Sequence, residues 1–575
     1  MKKLKVTAFQ ASLFLCGLNL LIMHWYILIP DNSGNEFEIT LISDNLLGIV
    51  TDLSFLFLIS YYAMWRRLKP ALTITFFITL FWSFSNILYS RFFHHYISLS
   101  AIGQGGTLLD AEMMRCVVEG LEWTDLYYVI CPCIFLLLVK SVQPVKSPVV
   151  ELLICMVITI GIDLGVYAAY CAYIPEYRYL SYYIQRIGNR QFSSKIYCFE
   201  PNTASFRRGC IRVLFHELLN DIGGVVQLSE SQHEEIVNTI ENSKNNLSEK
   251  HDSVKTKNII FIIVESYMAF SSDMKIGGRE VTPFLNSLKK DSTVYYNGMM
   301  RENVTIGESS DGQFIYMTGL LPLRSVITVS KARHITLPGL PRLLGIDSRM
   351  VIPTAVSIWN QDDMCRTYGF KHLYAKQDYS KDIHLNLNDE QAFALAMEKD
   401  KEASQPFFSV ILTMSMHQPY IQQIDSTFII KDQSIPSEMA NYLNVCHYTD
   451  RQIERYFDHL KSSALYDNSL IVIAADHAVH NNTRFSEVSK SIPLYIVNIP
   501  YAIKDKMWKG ECNQIDVFTT LLDILGIKCN WYGLGQSLLS PEYKNNINMK
   551  QWSISEWIIR SDYFSSHDDM ADKHN

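Results

Sequence analysis

The chain has 575 residues, a formal net charge of −7 and 48% hydrophobic residues, so it is longer than one ordinary domain. The negative charge leaves no basic footprint, which excludes nucleic acid as the expected partner. The composition is uneven. The part up to about Pro175 is rich in Leu, Ile, Phe and Tyr and poor in charge, whereas the remainder has the composition of a soluble protein.

Five apolar segments in the first part are predicted to span a membrane, because a bilayer core needs about 20 apolar residues per helix. The five segments are Thr7–Pro30, Asn45–Trp65, Ala71–Phe92, Leu126–Val139 and Val149–Ile174. Two acids, Asp52 and Asp163, fall within them. Such a residue either serves a function inside the membrane or forms a hydrogen bond between helices.

Basic residues predict the orientation of these segments, since they concentrate in alternate loops. They precede the first segment and lie between the second and third and between the fourth and fifth: Lys2, Lys3, Lys5, Arg66, Arg67, Lys69, Lys140 and Lys146. The loop Asp31–Asp44 has no Lys or Arg. The amino terminus is therefore predicted to lie inside. An odd number of spans then places everything after Ile174 outside the cytoplasmic membrane, as part of a multi-pass protein.

The remainder of the chain is predicted to form a linker and an α/β domain. Residues 177–256 are the linker, in which a helix around Phe206–Leu219 would rest on lipid headgroups or pack on the next domain. From Lys257 onward, strand-like runs alternate with helix-like runs, as in a parallel sheet. The predicted strands are Asn258–Val264, Phe407–Met414 and Leu470–Ala475, and the predicted helices are Pro283–Lys290, Phe314–Leu321, Asn441–Leu460 and Asp516–Leu525.

Acidic and imidazole side chains follow two of these strands directly. Glu265 ends the run Asn-Ile-Ile-Phe-Ile-Ile-Val, and Asp476-His477 follows Leu-Ile-Val-Ile-Ala-Ala. A buried carboxylate needs a partner, which a metal ion can supply. Glu265 could instead cap a helix, and an Asp-His pair can occur by chance. Because sites in open α/β sheets form at the carboxyl ends of strands, we interpret all three residues as metal ligands.

A hydroxyl group is available at Ser309, in the run Gly-Glu-Ser-Ser-Asp-Gly-Gln-Phe. Ser309 and Ser310 would serve equally as residues that begin a helix. A nucleophile in that position would also benefit from backbone N–H groups that can bind a phosphate. Coordination to a metal would lower the pKa of the hydroxyl. We therefore predict Ser309 as both nucleophile and metal ligand.

Three further features have open interpretations. His417, just beyond a strand, is either a core histidine or a contact to a phosphate or leaving group. Trp359 and Asn360 lie in a loop-like stretch, where Trp359 is either a core residue or a platform for substrate. Cys512 and Cys529 flank a short predicted helix, and a disulfide between them would stabilise the protein by about 3 kcal/mol.

Taken together, these motifs resemble the lipoteichoic acid synthase branch of the alkaline phosphatase/sulfatase superfamily. The resemblance covers the five-helix anchor, the linker and the outer domain. It rests on the strand ending in Glu265, the Ser-Ser-Asp-x-Gln-Phe element at Ser309–Phe314, the His-x-Pro-aromatic element at His417–Tyr420, and Asp476-His477. The Cys/Ser-x-Pro-x-Arg signature of sulfatases is absent around Ser309.

The resemblance implies a fold and a site. The fold class is an α-helical membrane domain of five transmembrane helices over 1–176, followed after the linker by a sulfatase-like extracytoplasmic α/β domain over 257–575. One divalent ion would be held by Glu265, Ser309, Asp476 and His477. Manganese is the ion used often in that branch, with Mg²⁺ or Zn²⁺ as alternatives.

The same resemblance implies a reaction, the transfer of a phospholipid headgroup phosphate through a Ser-bound intermediate to an envelope glycan or lipid. His417, Trp359 and Asn360 would bind substrate. The chain departs from the family pattern where an Arg that binds glycerol phosphate is replaced by Gln361 and a nearby His is missing. Phosphoethanolamine transfer, phosphoester hydrolysis, and a membrane sensor with an inactive pocket therefore remain as alternatives.

Overall fold

The structure, a computed structural model, divides into two compact units, Met1–Gly103 with Met113–Gly224 and Gln104–Glu112 with Val225–Asn575. It describes residues 7–28, 39–93, 96–97, 117–118, 120–143, 149–158, 161, 209–211, 214, 226–248, 254, 257–324, 326–380, 386–418, 420, 425–479 and 490–566. Asp163 and most of the predicted amphipathic helix Phe206–Leu219 lie outside these residues.

The first unit is helical, with α1 Ala8–Leu28, α2 Ile39–Trp65, α3 Lys69–Phe93 and α4 Tyr127–Lys140. Within the described residues, three helices are long and apolar enough to cross a membrane: Ala8–Ile27, Lys69–Arg91 and Trp123–Lys140. Among the residues that the structure describes, the five predicted spans are therefore corrected to three. The second prediction falls on α2, whose first residues have undescribed side chains. Of the fifth, the structure describes a shorter apolar helix, Val149–Ile158, and Gly161.

An aromatic stack and an ion pair of Arg91 connect α3 to α4 and to the turn before it. Phe76 of α3 stacks on Phe135 of α4, with ring centroids 3.8 Å apart. Arg91, at the end of α3, donates from Nη1 and Nη2 to the two carboxylate oxygens of Asp125 over 2.8 and 2.9 Å. This paired geometry is the strongest arrangement of an Arg with a carboxylate. It fixes the end of α3 against the turn that precedes α4.

Asp52 has the partner that the sequence could not identify. Its carboxylate is fully buried and lies 2.9 Å from Nε2 of His24 on α1. The backbone N–H groups of Cys210 and Ile211 donate to the same carboxylate over 2.9 and 3.1 Å. Asp52 therefore joins α1, α2 and the segment at Cys210.

The second unit contains an eight-stranded sheet in the order β10-β4-β9-β8-β1-β7-β5-β6. The strands are β1 Asn258–Val264, β4 Val294–Arg301, β5 Asp347–Val351, β6 His372–Tyr374, β7 Phe407–Leu412, β8 Ser469–Ala475, β9 Ile492–Val497 and β10 Cys512–Asn513, and a separate ribbon pairs β2 Lys275–Ile276 with β3 Arg279–Glu280. The sheet is mixed, which corrects the parallel prediction, because β9 runs antiparallel to both β8 and β4.

The parallel part of the sheet positions the site. The central strand β1 pairs in parallel with β7 on one side and β8 on the other, and Val264 lies opposite Ala475. Every residue of β1 and β8 is buried, as expected for strands covered on both faces. The residues that follow β1, β7 and β8 therefore emerge at one edge.

Helices of the second unit connect and cover these strands. Their bounds are α5 Glu230–Asn242, α6 Pro283–Leu288, α7 Ser309–Thr318, α8 Thr328–Ala332, α9 Leu340–Leu344, α10 Gln361–Tyr368, α11 Lys376–Tyr379, α12 Asp389–Lys401, α13 Ser437–Ser462, α14 Tyr501–Lys504, α15 Asp516–Leu525 and α16 Met549–Ser561. The prediction for α15 matches to the residue. The helix α7 begins five residues before the predicted Phe314, because the small polar residues of its first turn are themselves helical and almost all buried.

Candidate active site

Two strand ends bring together three ligand-type side chains. The ligand atoms of Glu265, Asp476 and His477 all lie within 4.8 Å of one another, and all three residues are buried. Nε2 of His477 is 3.5 Å from Oε1 of Glu265 and 3.6 Å from Oδ2 of Asp476. The predicted cluster therefore forms at the carboxyl ends of β1 and β8.

Ser309 reaches this cluster from the first position of α7. Its Oγ lies 3.0 Å from Nε2 of His477 and donates to Oε2 of Glu265 over 3.3 Å. The preceding residue, Glu308, has φ 41° and ψ −108°, a conformation that L-residues rarely adopt. This turn presents the Ser309 hydroxyl at the beginning of the helix, where backbone N–H groups can receive an anion.

The three titratable groups of the cluster strongly shift one another's pKa values. The pKa of Glu265 is held far below its usual value, because the hydrogen bond and charge of His477 outweigh the effect of burial. Burial raises the pKa of Asp476, and the nearby charge of Glu265 raises it further. The pKa of His477 is raised well above its usual value, since the two carboxylates outweigh burial. Protonated His477 thus serves as counter-ion, a role that a divalent ion could take over.

Residues that the sequence did not single out hold the ligands in place. Ser266 donates from Oγ to Glu265 over 2.8 Å and from its backbone N–H to Asp476 over 2.9 Å. Thr413, just after β7, accepts the backbone N–H of Glu265 over 3.0 Å. Gln514 donates to the backbone carbonyl of Asp476 over 2.6 Å. Apart from the apolar runs beside them, nothing in the sequence marked these contacts.

Asp311 fixes the loop that leads into α7. Its Oδ2 accepts the backbone N–H groups of Thr305 and Gly307, each over 3.0 Å, and the Thr305 hydroxyl over 2.7 Å. Burial raises the pKa of Asp311 to about 6. The residue therefore shapes the turn that precedes Ser309.

His417 lies on the same side of the sheet as the cluster. It follows β7, and its charge lowers the pKa of Glu265. Its Nδ1 is 2.8 Å from the backbone carbonyl of Gln418, which orients the ring. Tyr420 packs edge-on against Tyr442, with ring centroids 5.3 Å apart, and Tyr442 in turn donates to the carbonyl of Ser266. This loop is thereby tied to the segment after β1.

Trp359 and Asn360 form a tight turn before α10, with left-handed φ values of 53° and 51°. Both are half-buried, and Oδ1 of Asn360 accepts from Nη1 of Arg333 over 3.0 Å. The next residue, Gln361, exchanges two side-chain hydrogen bonds with Gln313, over 2.8 and 3.1 Å. Gln313 lies one turn beyond Ser309 on α7, so this pair connects the Trp359–Asn360 turn to α7.

The predicted disulfide is wrong. Cys512 and Cys529 are both buried, and neither is disulfide-bonded. Cys529 donates to the backbone carbonyl of Trp531 over 3.0 Å, and burial raises its pKa to about 12. Cys512 lies in the short edge strand β10. Two buried thiols in separate environments replace the expected crosslink.

Comparison with known proteins now defines the class. The sulfatase family model matches residues 257–527, and the model of the lipoteichoic acid synthase N-terminal domain matches residues 1–183. The chain is a phosphotransferase of the sulfatase superfamily. Within that superfamily it belongs to the lipoteichoic acid synthase-like branch, which its two matched domains define in combination.

Individual relatives agree with this assignment. The chain is 28% identical over 515 residues to lipoteichoic acid synthase 2 of Bacillus subtilis, covering 83% of this chain and 75% of the relative. It is 24% identical over 503 residues to lipoteichoic acid synthase of Staphylococcus saprophyticus, covering 82% and 75%. Lipooligosaccharide phosphoethanolamine transferase A of Neisseria meningitidis shares the fold, with a TM-score of 0.51, 11% identity and coverage of 91% and 96%.

Gly312 allows α7 to approach β8, and its replacement tests that contact. A Cβ at this position would lie 2.3 Å from the backbone oxygen of Asp476. We expect Gly312→Ala to push the helix away from the metal-type ligands and to destabilise the protein by about 1–3 kcal/mol, although Ala favours helices. Urea unfolding of the purified protein measures this. The control is Glu454→Ala, at an exposed position of α13. Equal or greater stability of Gly312→Ala than of the wild type would contradict the proposed contact.

Proposed function

We propose that this protein transfers a phosphoglycerol-type headgroup from a membrane phospholipid to an envelope glycan or lipid, through an intermediate on Ser309. One observation carries the proposal: the Ser309 hydroxyl stands at the start of a helix, within 3.0 Å of His477 and 3.3 Å of Glu265. The relatives named as lipoteichoic acid synthases support the substrate class.

In the proposed mechanism, the catalytic domain spans 257–575 and faces outward from a multi-pass membrane domain over 1–176, joined by a linker over 177–256. Glu265, Ser309, Asp476 and His477 would hold one divalent ion. Their oxygen and imidazole donors fit Mn²⁺, Mg²⁺ or Zn²⁺. When bound, that ion would lower the pKa of the hydroxyl and offset negative charge on the phosphoryl oxygens.

The protein's own residues supply the remaining steps. Ser309 Oγ forms a bond to phosphorus while the bond from phosphorus to the diacylglycerol oxygen breaks. The hydrogen bond to Oε2 of Glu265 orients the hydroxyl, which releases its proton to solvent. We assign to His417, which follows β7 close to Glu265, the donation of a proton to the departing oxygen. Backbone N–H groups at the start of α7 stabilise the phosphoryl oxygens. The acceptor hydroxyl then attacks phosphorus, the bond from phosphorus to Ser309 Oγ breaks, and Oγ takes up the proton that the acceptor loses.

Mass spectrometry tests the proposal directly. Full-length protein in detergent is incubated with Mn²⁺ and mixed phospholipids, and the Ser309 peptide is then mapped. We expect a phosphoglycerol adduct on Ser309. A phosphoethanolamine adduct would identify the alternative transferase, and phosphate release without an adduct or acceptor product would identify a hydrolase. An unmodified Ser309 together with no headgroup release would contradict the proposal.

The Gln313–Gln361 pair indicates that the protein discriminates only weakly between phospholipid donors with different headgroups. Gln361 is buried and occupied by Gln313, so it offers substrate neither charge nor an unused amide. Arg301 and Arg366, which could have compensated, instead pair with Glu511 and Asp363 at exposed positions. Losing a hydrogen bond to a charged group costs roughly 1.5–3 kcal/mol of binding free energy.

We therefore expect phosphatidylglycerol not to be strongly preferred over phosphatidylethanolamine when the two donors compete. The measurement is the ratio of the two adducts at equal donor concentrations. A preference of roughly a hundredfold or more, about 2.7 kcal/mol, would contradict this expectation. In that case Arg333, which contacts Asn360, is the cation to replace, and Arg333→Gln should remove the preference.

A further inference from the structure

A second cluster of ligand-type side chains lies within the helical unit. Among the described residues, only two groups bring three such side chains within 4.8 Å of one another, and this group consists of His24, Asp52 and Cys210. Their exposed fractions are 1%, 0% and 2%. They come from α1, from α2 and from a segment more than a hundred residues farther along the chain.

We propose that His24, Asp52 and Cys210 form a binding site for a divalent transition metal ion of the zinc class. The existing geometry needs little change. Nε2 of His24 is 2.9 Å from Oδ2 of Asp52. Nitrogen and oxygen ligands of tetrahedral zinc, each about 2.0–2.2 Å from the ion, lie about 3.4 Å apart. The two side chains would separate by roughly half an ångström to admit the ion.

The chemical types of the three ligands determine which metal ions the site favours. Thiolate, imidazole and carboxylate together favour zinc and other borderline-soft metals over Mg²⁺ or Mn²⁺. The catalytic cluster offers carboxylate, hydroxyl and imidazole groups and has no thiol. The two sites therefore differ in a property that spectroscopy can distinguish, since only the site in the helical unit can give a metal–thiolate signal.

Surrounding contacts orient the ligands as metal sites require. The hydroxyl of Tyr96 lies 2.7 Å from Nδ1 of His24, the ring nitrogen that would not bind the ion. Such an outer partner fixes the ring and its tautomer. The backbone N–H groups of Cys210 and Ile211 hold the Asp52 carboxylate in place.

The protons displaced by metal binding can be accounted for with these groups and solvent. The Cys210 thiol loses its proton to solvent and ligates as thiolate. Neutral His24 keeps one proton, which moves from Nε2 to Nδ1 and is donated to the Tyr96 oxygen. The dipositive ion is matched by the Asp52 carboxylate and the Cys210 thiolate, so the buried cluster is neutral overall. This removes the cost of an uncompensated charge among apolar helices.

A bound ion would give the site a structural role. It would join α1 and α2 to the segment at Cys210, because each contributes one ligand. Without a metal, the hydrogen bond between His24 and Asp52 is the alternative arrangement of the same residues. The two arrangements make opposite predictions for metal content and for the reactivity of Cys210.

Cobalt substitution tests the site on the full-length protein in detergent. We expect Co²⁺ to give an intense near-ultraviolet thiolate-to-cobalt band that one equivalent of Zn²⁺ abolishes. Cys210→Ser should remove the band. Cys133→Ser, which replaces an exposed thiol of the same unit, should leave it unchanged. Elemental analysis after zinc loading should show one ion fewer in Cys210→Ser and in His24→Ala than in the wild type.

Alkylation of Cys210 in the wild-type protein tests the site without the use of any substituted protein. With Zn²⁺ bound, we expect the rate of Cys210 modification in mild denaturant to fall at least tenfold, and a chelator to restore it. The proposal is overturned if wild-type protein shows no thiolate band. It is also overturned if zinc leaves the Cys210 rate unchanged, because a metal-free His24–Asp52 pair then accounts for the cluster.

Discussion

Replacing Ser309 with Ala is expected to lower headgroup release on the order of a thousandfold or more, while the protein still binds its metal. The Ser309 hydroxyl is the attacking group in the proposed reaction, and its Oγ already lies 3.3 Å from Oε2 of Glu265. Glu265, Asp476 and His477 would remain to hold the ion. The measurement combines release of labelled headgroup with elemental analysis and mapping of the covalent adduct.

Ser310→Ala is the matched control for this prediction. Ser310 is buried, and its hydroxyl donates to the Gly307 carbonyl over 2.7 Å. Losing that bond should cost about 1 kcal/mol of stability while leaving the adduct intact. A Ser309→Ala protein that still forms a phospho-adduct, or a Ser310→Ala protein that forms none, would move the nucleophile to another residue.

Replacing Asp476 with Asn is expected to abolish metal-dependent stabilisation. In the wild type, an ion at a hundred times its dissociation constant should stabilise the folded protein by about 2.7 kcal/mol. Asn keeps an oxygen that can accept the N–H groups of Ser266 and His477, as Oδ1 of Asp476 does. It removes the negative charge, so Mn²⁺ should raise the melting temperature of the wild type and barely change that of the variant.

The variant should also be at least as stable as the metal-free wild type. Burial and the nearby Glu265 charge raise the pKa of Asp476, so the ionised form is disfavoured when no cation is present. Asp389→Asn is the control, because Asp389 is fully buried but accepts the N–H groups of Met414 and Ser415 behind β7. Equal metal content in the wild type and Asp476→Asn would refute the assignment of Asp476 as a ligand.

The sequence by itself determined the two strands whose ends carry Glu265, Asp476 and His477. Wholly apolar runs such as Asn258–Val264 and Leu470–Ala475 can be stable only when covered on both faces, and a charged residue directly after such a run needs a partner at the sheet edge. The amphipathic helix around Asn441–Leu460 and the helix Asp516–Leu525 could also be predicted from the sequence, because their apolar periodicity is local.

Tertiary structure alone decided the pairings between distant residues. Strand direction in β9 depends on its neighbours β8 and β4, and nothing within Ile492–Val497 specifies an antiparallel strand. The partner of Gln361 is Gln313 because a turn and a helix meet there, and Cys512 and Cys529 stay unbonded because folding buries them in separate places. His24, Asp52 and Cys210 likewise meet only because helix packing brings together residues whose side chains carry no local signal of one another.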